Sequence, residues 1–157
     1  MCEARIENIE QRIISRPEDA LFYFKRFKDY QKEHCFAIYL NAKNKVTRLE
    51  VITIGSLYGN LVHPREVFAP AFEERSAAVI IGHNHPSGDS TPSPEDVAMT
   101  YRLKEAGDIL GIELLDHIVV SAGEWSALGK NMEGQYNNLK YKKEESENEI
   151  FQMVNVS

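Results

Sequence analysis

The run Ala77-Ala78-Val79-Ile80-Ile81 restricts the fold of this chain more than any other segment. Five consecutive apolar residues suit a strand, and without polar residues alternating among them that strand must be covered on both faces. The rest of the chain supplies the covering layers. Beyond Pro64, residues Val67, Phe68, Ala71 and Phe72 make one face of a short amphipathic helix. Beyond Ser93, residues Met99, Leu103, Ala106 and Leu110 share a face of a longer helix that Gly111 can stop. From His34, alternation of Phe36, Ile38 and Leu40 with Cys35, Ala37 and Tyr39 predicts a strand; Asn41 to Lys45 turns the chain and Val46 to Ile54 returns. Ile112 to Val120 and Trp125 to Leu128 read as further strands. At the start, Ile6, Ile9 and Ile13 recur at helical spacing, and Ser15 with Glu18 three residues later opens a second helical run through Leu21, Phe24 and Phe27. The order α, β, β, α, β, α, β, β predicts an α/β fold with a mixed sheet.

Composition limits what such a domain can do. A chain of 157 residues, 43% apolar, buries roughly 68–70% of its unfolded surface, so no metal is needed to hold it together and any metal ligands must be explained by chemistry. Eighteen Lys and Arg against 24 Asp and Glu give a net charge of −6, the wrong sign for binding nucleic acid mainly through phosphate neutralisation. No apolar stretch approaches the about 18 to 20 residues that cross a bilayer, and Met1 to Arg16 lacks the basic start and apolar block of a secretory signal. A cytoplasmic protein without membrane contact is expected. Cys2 and Cys35 form neither a Cys-x-x-Cys site nor a disulfide framework; they read as reduced thiols, with Cys35 buried.

The chemistry lies just after the apolar run, in Gly82-His83-Asn84-His85-Pro86. His83 and His85 are two apart at a strand end, so both side chains point to one face and can approach one ion. Seven residues, Pro86 to Pro92, separate His85 from Ser93, and Asp96 follows in the first turn of the next helix. A turning loop can bring that carboxylate back to the histidines. Two imidazoles and a carboxylate suit Zn²⁺ and leave a tetrahedral ion one open position, as in catalytic zinc sites. Such a site needs one more group, a carboxylate placed to take a proton from water. The same residues also have a structural reading: Ser93-Pro94-Glu95-Asp96 is a helix start with Ser93 as N-cap and Asp96 as its capping-box partner. The two readings are compatible.

His83-Asn84-His85-Pro86, seven residues from His85 to Ser93, and then Asp96 resembles the JAMM signature of MPN-fold zinc metalloproteases and isopeptidases. The wider text, with Val62-His63-Pro64-Arg65-Glu66-Val67-Phe68 before it and Leu114-Leu115-Asp116-His117-Ile118-Val119-Val120 after it, resembles the bacterial RadC family in particular. The resemblance implies a single MPN (JAMM) domain with a mixed sheet flanked by helices in a three-layer arrangement like that of cytidine deaminase. It also implies Zn²⁺ held by His83, His85 and Asp96, with hydrolysis of a peptide or isopeptide bond as the reaction. Ser93 matches the serine that helps hold the tetrahedral intermediate. The family's general base stands at the beginning of the first core strand, and Glu33, directly before His34, is the positional match. Glu50, expected on the less buried face of its strand, and Glu66, expected on a solvated helix face, are the competitors. The implied division is a helical lead over 1–32, the catalytic domain over 33–130, and a polar, loosely ordered tail over 131–157. RadC proteins usually carry an N-terminal helix-hairpin-helix region, for which a 32-residue lead is too short; with the acidic balance this argues against a nucleic-acid partner.

The other histidines point elsewhere. His63 either lines the groove or introduces a helix, His34 belongs to the surface or to packing, and His117 beside Asp116 is expected to be buried and hydrogen-bonded rather than a ligand. No Gly-x-Ser-x-Gly elbow supports serine hydrolysis, and Ser87-Gly88-Asp89 is a turn rather than a phosphate cradle. A zinc deaminase would need His-x-Glu and Pro-Cys-x-x-Cys, which this sequence lacks. Beside the zinc hydrolase stand two alternatives: a noncatalytic MPN-like scaffold and a DNA-repair-associated accessory protein.

Overall fold

The computed structural model describes residues 4–55 and 62–128, together with the backbone of two later strands. The apolar run becomes β4 (Ala78–Asn84), buried at all seven positions and extending three residues beyond Ile81 to include His83. β4 pairs antiparallel with β2 (His34–Leu40) and parallel with β5 (Glu113–Val120). A parallel pair needs a crossover, and α3 (Pro94–Leu110) supplies it. The hairpin partner of β2 is β3 (Val46–Ile54), bordered by the short β1 (Ala4–Ile6); beyond β5 follow β6 (Glu124–Ala127), β7 (Leu139–Lys142) and β8 (Gln152–Asn155). Across the sheet of described strands the order is β1-β3-β2-β4-β5-β6-β7-β8.

Alternation along the strands divides the core into two layers. Phe36, Ile38, Leu49, Ile80, Ile118 and Trp125 face α1 (Pro17–Phe24), whose Tyr23 and Phe24 are fully buried. Ala37, Tyr39, Ile52, Val79 and Ile81 face α2 (Pro64–Glu73) and α3, meeting Val67, Phe68, Ala71 and Leu103. The result is the three-layer α/β arrangement that the resemblance implies. Among the described residues no helix is long and apolar enough to cross a membrane.

Three local readings are corrected by the structure. Ile6, Ile9 and Ile13 do not lie on a helix: Ile6 pairs with Leu49 at the sheet edge, Ile13 bridges to Lys45, and between them Asn8 adopts φ 56°, a left-handed conformation that no α-helix continues. The open edge of β3 offers this segment a ladder to join, and the pairing covers backbone groups that the edge would otherwise leave unpaired. The second helical run is present as α1, continued by a 3₁₀ turn over Lys25–Phe27, but its start is shifted by one residue. Asp19 accepts the N–H groups of Ser15 and Arg16, at 2.8 and 3.1 Å. In α3 the buried stripe is Asp96, Thr100, Leu103 and Gly107, not the wholly apolar face expected; Leu110 is 43% exposed. The N-terminal half of that stripe is polar because it faces the histidines.

Gly107 allows α3 to close on the sheet. A Cβ there would lie 2.3 Å from the carbonyl oxygen of Ile112 and 3.3 Å from the Phe68 ring. Gly111 ends the helix at φ 73°, as the sequence predicts. The tail expected over 131–157 lies outside the described residues except for β7 and β8.

Candidate metal centre

His83 is the penultimate residue of β4, and His85 continues that line: its N–H donates to the Val120 carbonyl of β5 at 2.9 Å. Both rings turn toward the first turn of α3. There Ser93 and Asp96 form a reciprocal cap, with Asp96 N–H donating to Ser93 Oγ at 3.1 Å and Ser93 N–H donating to Asp96 Oδ2 at 2.7 Å. The cap fixes the Asp96 carboxylate and aims it at the histidines, so the predicted helix start is also what brings the carboxylate back to them. Ser93 spends a lone pair in this cap and keeps its hydroxyl hydrogen for another acceptor.

The Nε2 atoms of His83 and His85 stand 2.8 Å apart; Asp96 Oδ1 is 3.1 Å from the first and Asp96 Oδ2 is 3.2 Å from the second. Glu33, immediately before β2, brings Oε1 to 3.9 Å from His83 Nε2. One donor atom from each of these four residues falls within 4.8 Å of all the others. The inner three are largely buried, while the Glu33 side chain is 41% exposed and opens the site to solvent.

Hydrogen bonding shows why this geometry suits a cation. The Nδ1 of His85 lies 2.8 Å from the Asp89 carbonyl, which can only accept, so Nδ1 carries the hydrogen and Nε2 presents a lone pair. That lone pair points at a carboxylate and at a second imidazole. With zinc–nitrogen distances of about 2.0–2.1 Å, two ligand atoms on a tetrahedral ion are about 3.3 Å apart, and the three inner separations lie within about half an ångström of that value. Burial opposes ionisation of Asp96, yet the two histidines and the Ser93 N–H hold its carboxyl well below the usual carboxylate range. Burial also opposes protonation of His85, but Asp96 and the Asp89 carbonyl outweigh it and raise its pKa. Cys35, opposite His83 across the β2–β4 ladder, contributes no thiolate: burial first, then the charges of Glu33 and Asp96, push its thiol up to about 12.

A RadC-like JAB domain model matches residues 14–134, a span that contains the whole cluster. The chain belongs to this family. Similar relatives include UPF0758 proteins of Shouchella clausii, 54% identical over 112 residues (71% of this chain and 49% of that one), and of Methanococcoides burtonii, 52% identical over 105 residues (67% and 46%). Another, from Bacillus cereus, is 47% identical over 125 residues (79% and 56%). The chain thus spans about half the length of the curated relatives it matches.

Within this RadC-like domain neither competing carboxylate belongs to the cluster. Glu66, on α2, is paired with Arg65 at 3.7 Å. Glu50, expected on the less buried face, has no exposed surface. Its Oε2 takes Arg48 Nε at 2.6 Å, and the same guanidinium reaches Glu73 at 2.7 Å; this charge-paired group lets a polar alternation run through a strand covered on both sides. Burial, and then the charges of Glu73 and Glu74, push the Glu50 carboxyl up to about 7. His63 is exposed at the start of α2. His34 packs beside Tyr30, their ring centroids 4.7 Å apart, and bonds the Lys32 carbonyl through Nδ1 at 2.7 Å.

His117 is fully buried, as expected, but it is not remote: its Nε2 lies 2.7 Å from His83 Nδ1. Burial, then the neighbouring His83, holds its pKa well below the ordinary value. Sequence reasoning missed the role of Asn84. Between the two histidines and on the opposite side of the strand, its carboxamide accepts the His34 N–H at 2.7 Å and donates to the carbonyls of Tyr30 and Lys32 at 3.1 and 3.0 Å. The sequence marks Asn84 only by its position inside the motif.

Proposed function

We propose that this domain is a zinc-dependent hydrolase that cleaves an amide bond of a peptide or isopeptide. The observation that carries this reading is the convergence of Glu33, His83, His85 and Asp96, with three largely buried donors and one carboxylate left open to solvent. His83, His85 and Asp96 would hold the ion through three protein ligands, leaving a position for substrate. Zinc held there would supply Lewis acidity that polarises a carbonyl and makes water a nucleophile near neutral pH. Glu33 takes a proton from the attacking water as the new C–O bond forms, and returns it to the departing amine as the C–N bond breaks. Ser93, with its hydroxyl hydrogen uncommitted, donates to the developing oxyanion. The exposed Glu33 side of the cluster is where the scissile bond enters.

The test is metal content followed by turnover. Purified chain should take up one zinc, and the zinc-loaded form should hydrolyse a member of a panel of peptide and isopeptide amides. Failure to take up zinc would overturn the reading; uptake with no turnover across the panel would favour the noncatalytic scaffold.

A further inference from the structure

Behind the cluster, a single file of hydrogen bonds returns from His83 to the backbone of Asp96. Thr100 Oγ1 donates to the Asp96 carbonyl at 2.7 Å, one turn back along α3. Thr100 Oγ1 is also 2.6 Å from His117 Nδ1, and His117 Nε2 is 2.7 Å from His83 Nδ1. Thr100, His117 and His83 are at most 2% exposed, so water does not enter this file as an alternative partner.

Each link has one consistent direction. A carbonyl only accepts, so the single Thr100 proton goes to Asp96; the reverse arrangement would set two lone pairs against each other at 2.7 Å. The Thr100 oxygen then offers His117 only a lone pair, and His117 Nδ1 must carry hydrogen. A buried imidazole facing no carboxylate is neutral and has one N–H, so His117 Nε2 is an acceptor. His83 Nδ1 therefore donates, which leaves His83 Nε2 as the ring atom that faces Asp96, His85 and Glu33.

We infer that Thr100 and His117 are positioning residues which fix the ring and tautomer of His83 for metal binding. This rests on the reading of His83 as a metal ligand. Both ends of the file belong to the cluster: Asp96 gives a carboxylate oxygen to the site and its backbone oxygen to the Thr100 bond, while His83 closes the other end. Partners that orient ligating histidines typically change metal affinity tenfold to 100-fold when removed.

The experiment uses the full chain, with zinc affinity measured by chelator competition and the His83 tautomer read from long-range ¹⁵N–¹H correlation spectra before and after zinc addition. Wild type should show hydrogen on His83 Nδ1 in both states. Thr100→Val, which keeps the volume and removes the hydroxyl, should mix the tautomers of His117 and His83 and weaken zinc binding about tenfold to 100-fold. Thr100→Ser should restore both within about threefold, which a purely steric role for Thr100 would not require. His117→Phe should weaken zinc at least as much, and if it fails to fold the two Thr100 variants still decide. A metal-free wild-type spectrum with no hydrogen on His83 Nδ1, or Thr100→Val with unchanged tautomer and affinity, would overturn the inference. Absence of zinc uptake by wild type would instead defeat the hydrolase reading, and the metal-free spectra would still decide the tautomer.

Discussion

Asn84 holds the backbone on both sides of Glu33: its carboxamide joins the N–H of His34 and the carbonyls of Tyr30 and Lys32, all between 2.7 and 3.1 Å. One motif thus presents two imidazoles to one face of the sheet and anchors the carboxylate-bearing segment from the other.

Asn84→Ala should therefore separate binding from turnover. It removes three hydrogen bonds to part-buried backbone groups and should lower stability by about 2–4 kcal/mol in thermal or denaturant unfolding. Zinc affinity should change by less than about threefold, because the ligand side chains stay in place. Turnover should fall at least tenfold as Glu33 loses its anchor. Equal losses of zinc and turnover would show instead that Asn84 supports the ligands.

Glu33→Gln keeps the shape of the side chain but removes its proton affinity. Hydrolysis should fall by about 10²- to 10⁴-fold with zinc content unchanged. Glu66→Gln should retain full turnover. Steady-state assays on the zinc-loaded proteins check this, and loss in Glu66→Gln with retention in Glu33→Gln would reassign the base.

His83→Ala and Asp96→Ala should each abolish stoichiometric zinc by elemental analysis. Chelation of wild type should leave the far-ultraviolet circular dichroism spectrum unchanged, because both core layers are held by apolar packing that needs no metal. Zinc at 100 times its dissociation constant should then add about 2.7 kcal/mol to the unfolding free energy.

Glu50 should make stability depend on pH. Its carboxyl titrates near 7 in the fold against an ordinary 4.5, so the folded state binds more protons between those values. The stability it contributes is fully present below pH 4.5 and is lost as pH rises through 7. Glu50→Gln cannot ionise. The stability difference should shift in the variant's favour by up to about 3 kcal/mol between pH 4.5 and 8, measured by melting both proteins across that range. Parallel curves would show that Arg48 keeps Glu50 ionised throughout.

What was legible in the sequence follows the distance over which the information runs. His83, His85, Ser93 and Asp96 lie on one strand end, one loop and one helical turn, so spacing alone brings them together. The anchoring bond of Asn84 spans 50 residues, and the bonds of His117 to His83 and Thr100 span 34 and 17; no local pattern carries them. Glu33 was found by resemblance because its closeness to His83 is created by strand pairing. Polar alternation placed Glu50 toward solvent because a period of two cannot distinguish water from a buried guanidinium. The isoleucines of the lead fitted a helical period, but the edge of β3 offered them a ladder.

The contact at Gly107 reaches the other end of α3. Eleven residues, about 16 Å of helix, separate this glycine from Asp96. Where its bare Cα meets the Ile112 carbonyl the helix has a fulcrum, and a tilt of only about 4° there swings the far end by about 1 Å, twice the roughly 0.5 Å tolerance of a preorganised site. An added methyl group, with no contact to any ligand, would act as a wedge under the long arm of a lever whose tip is the Asp96 carboxylate.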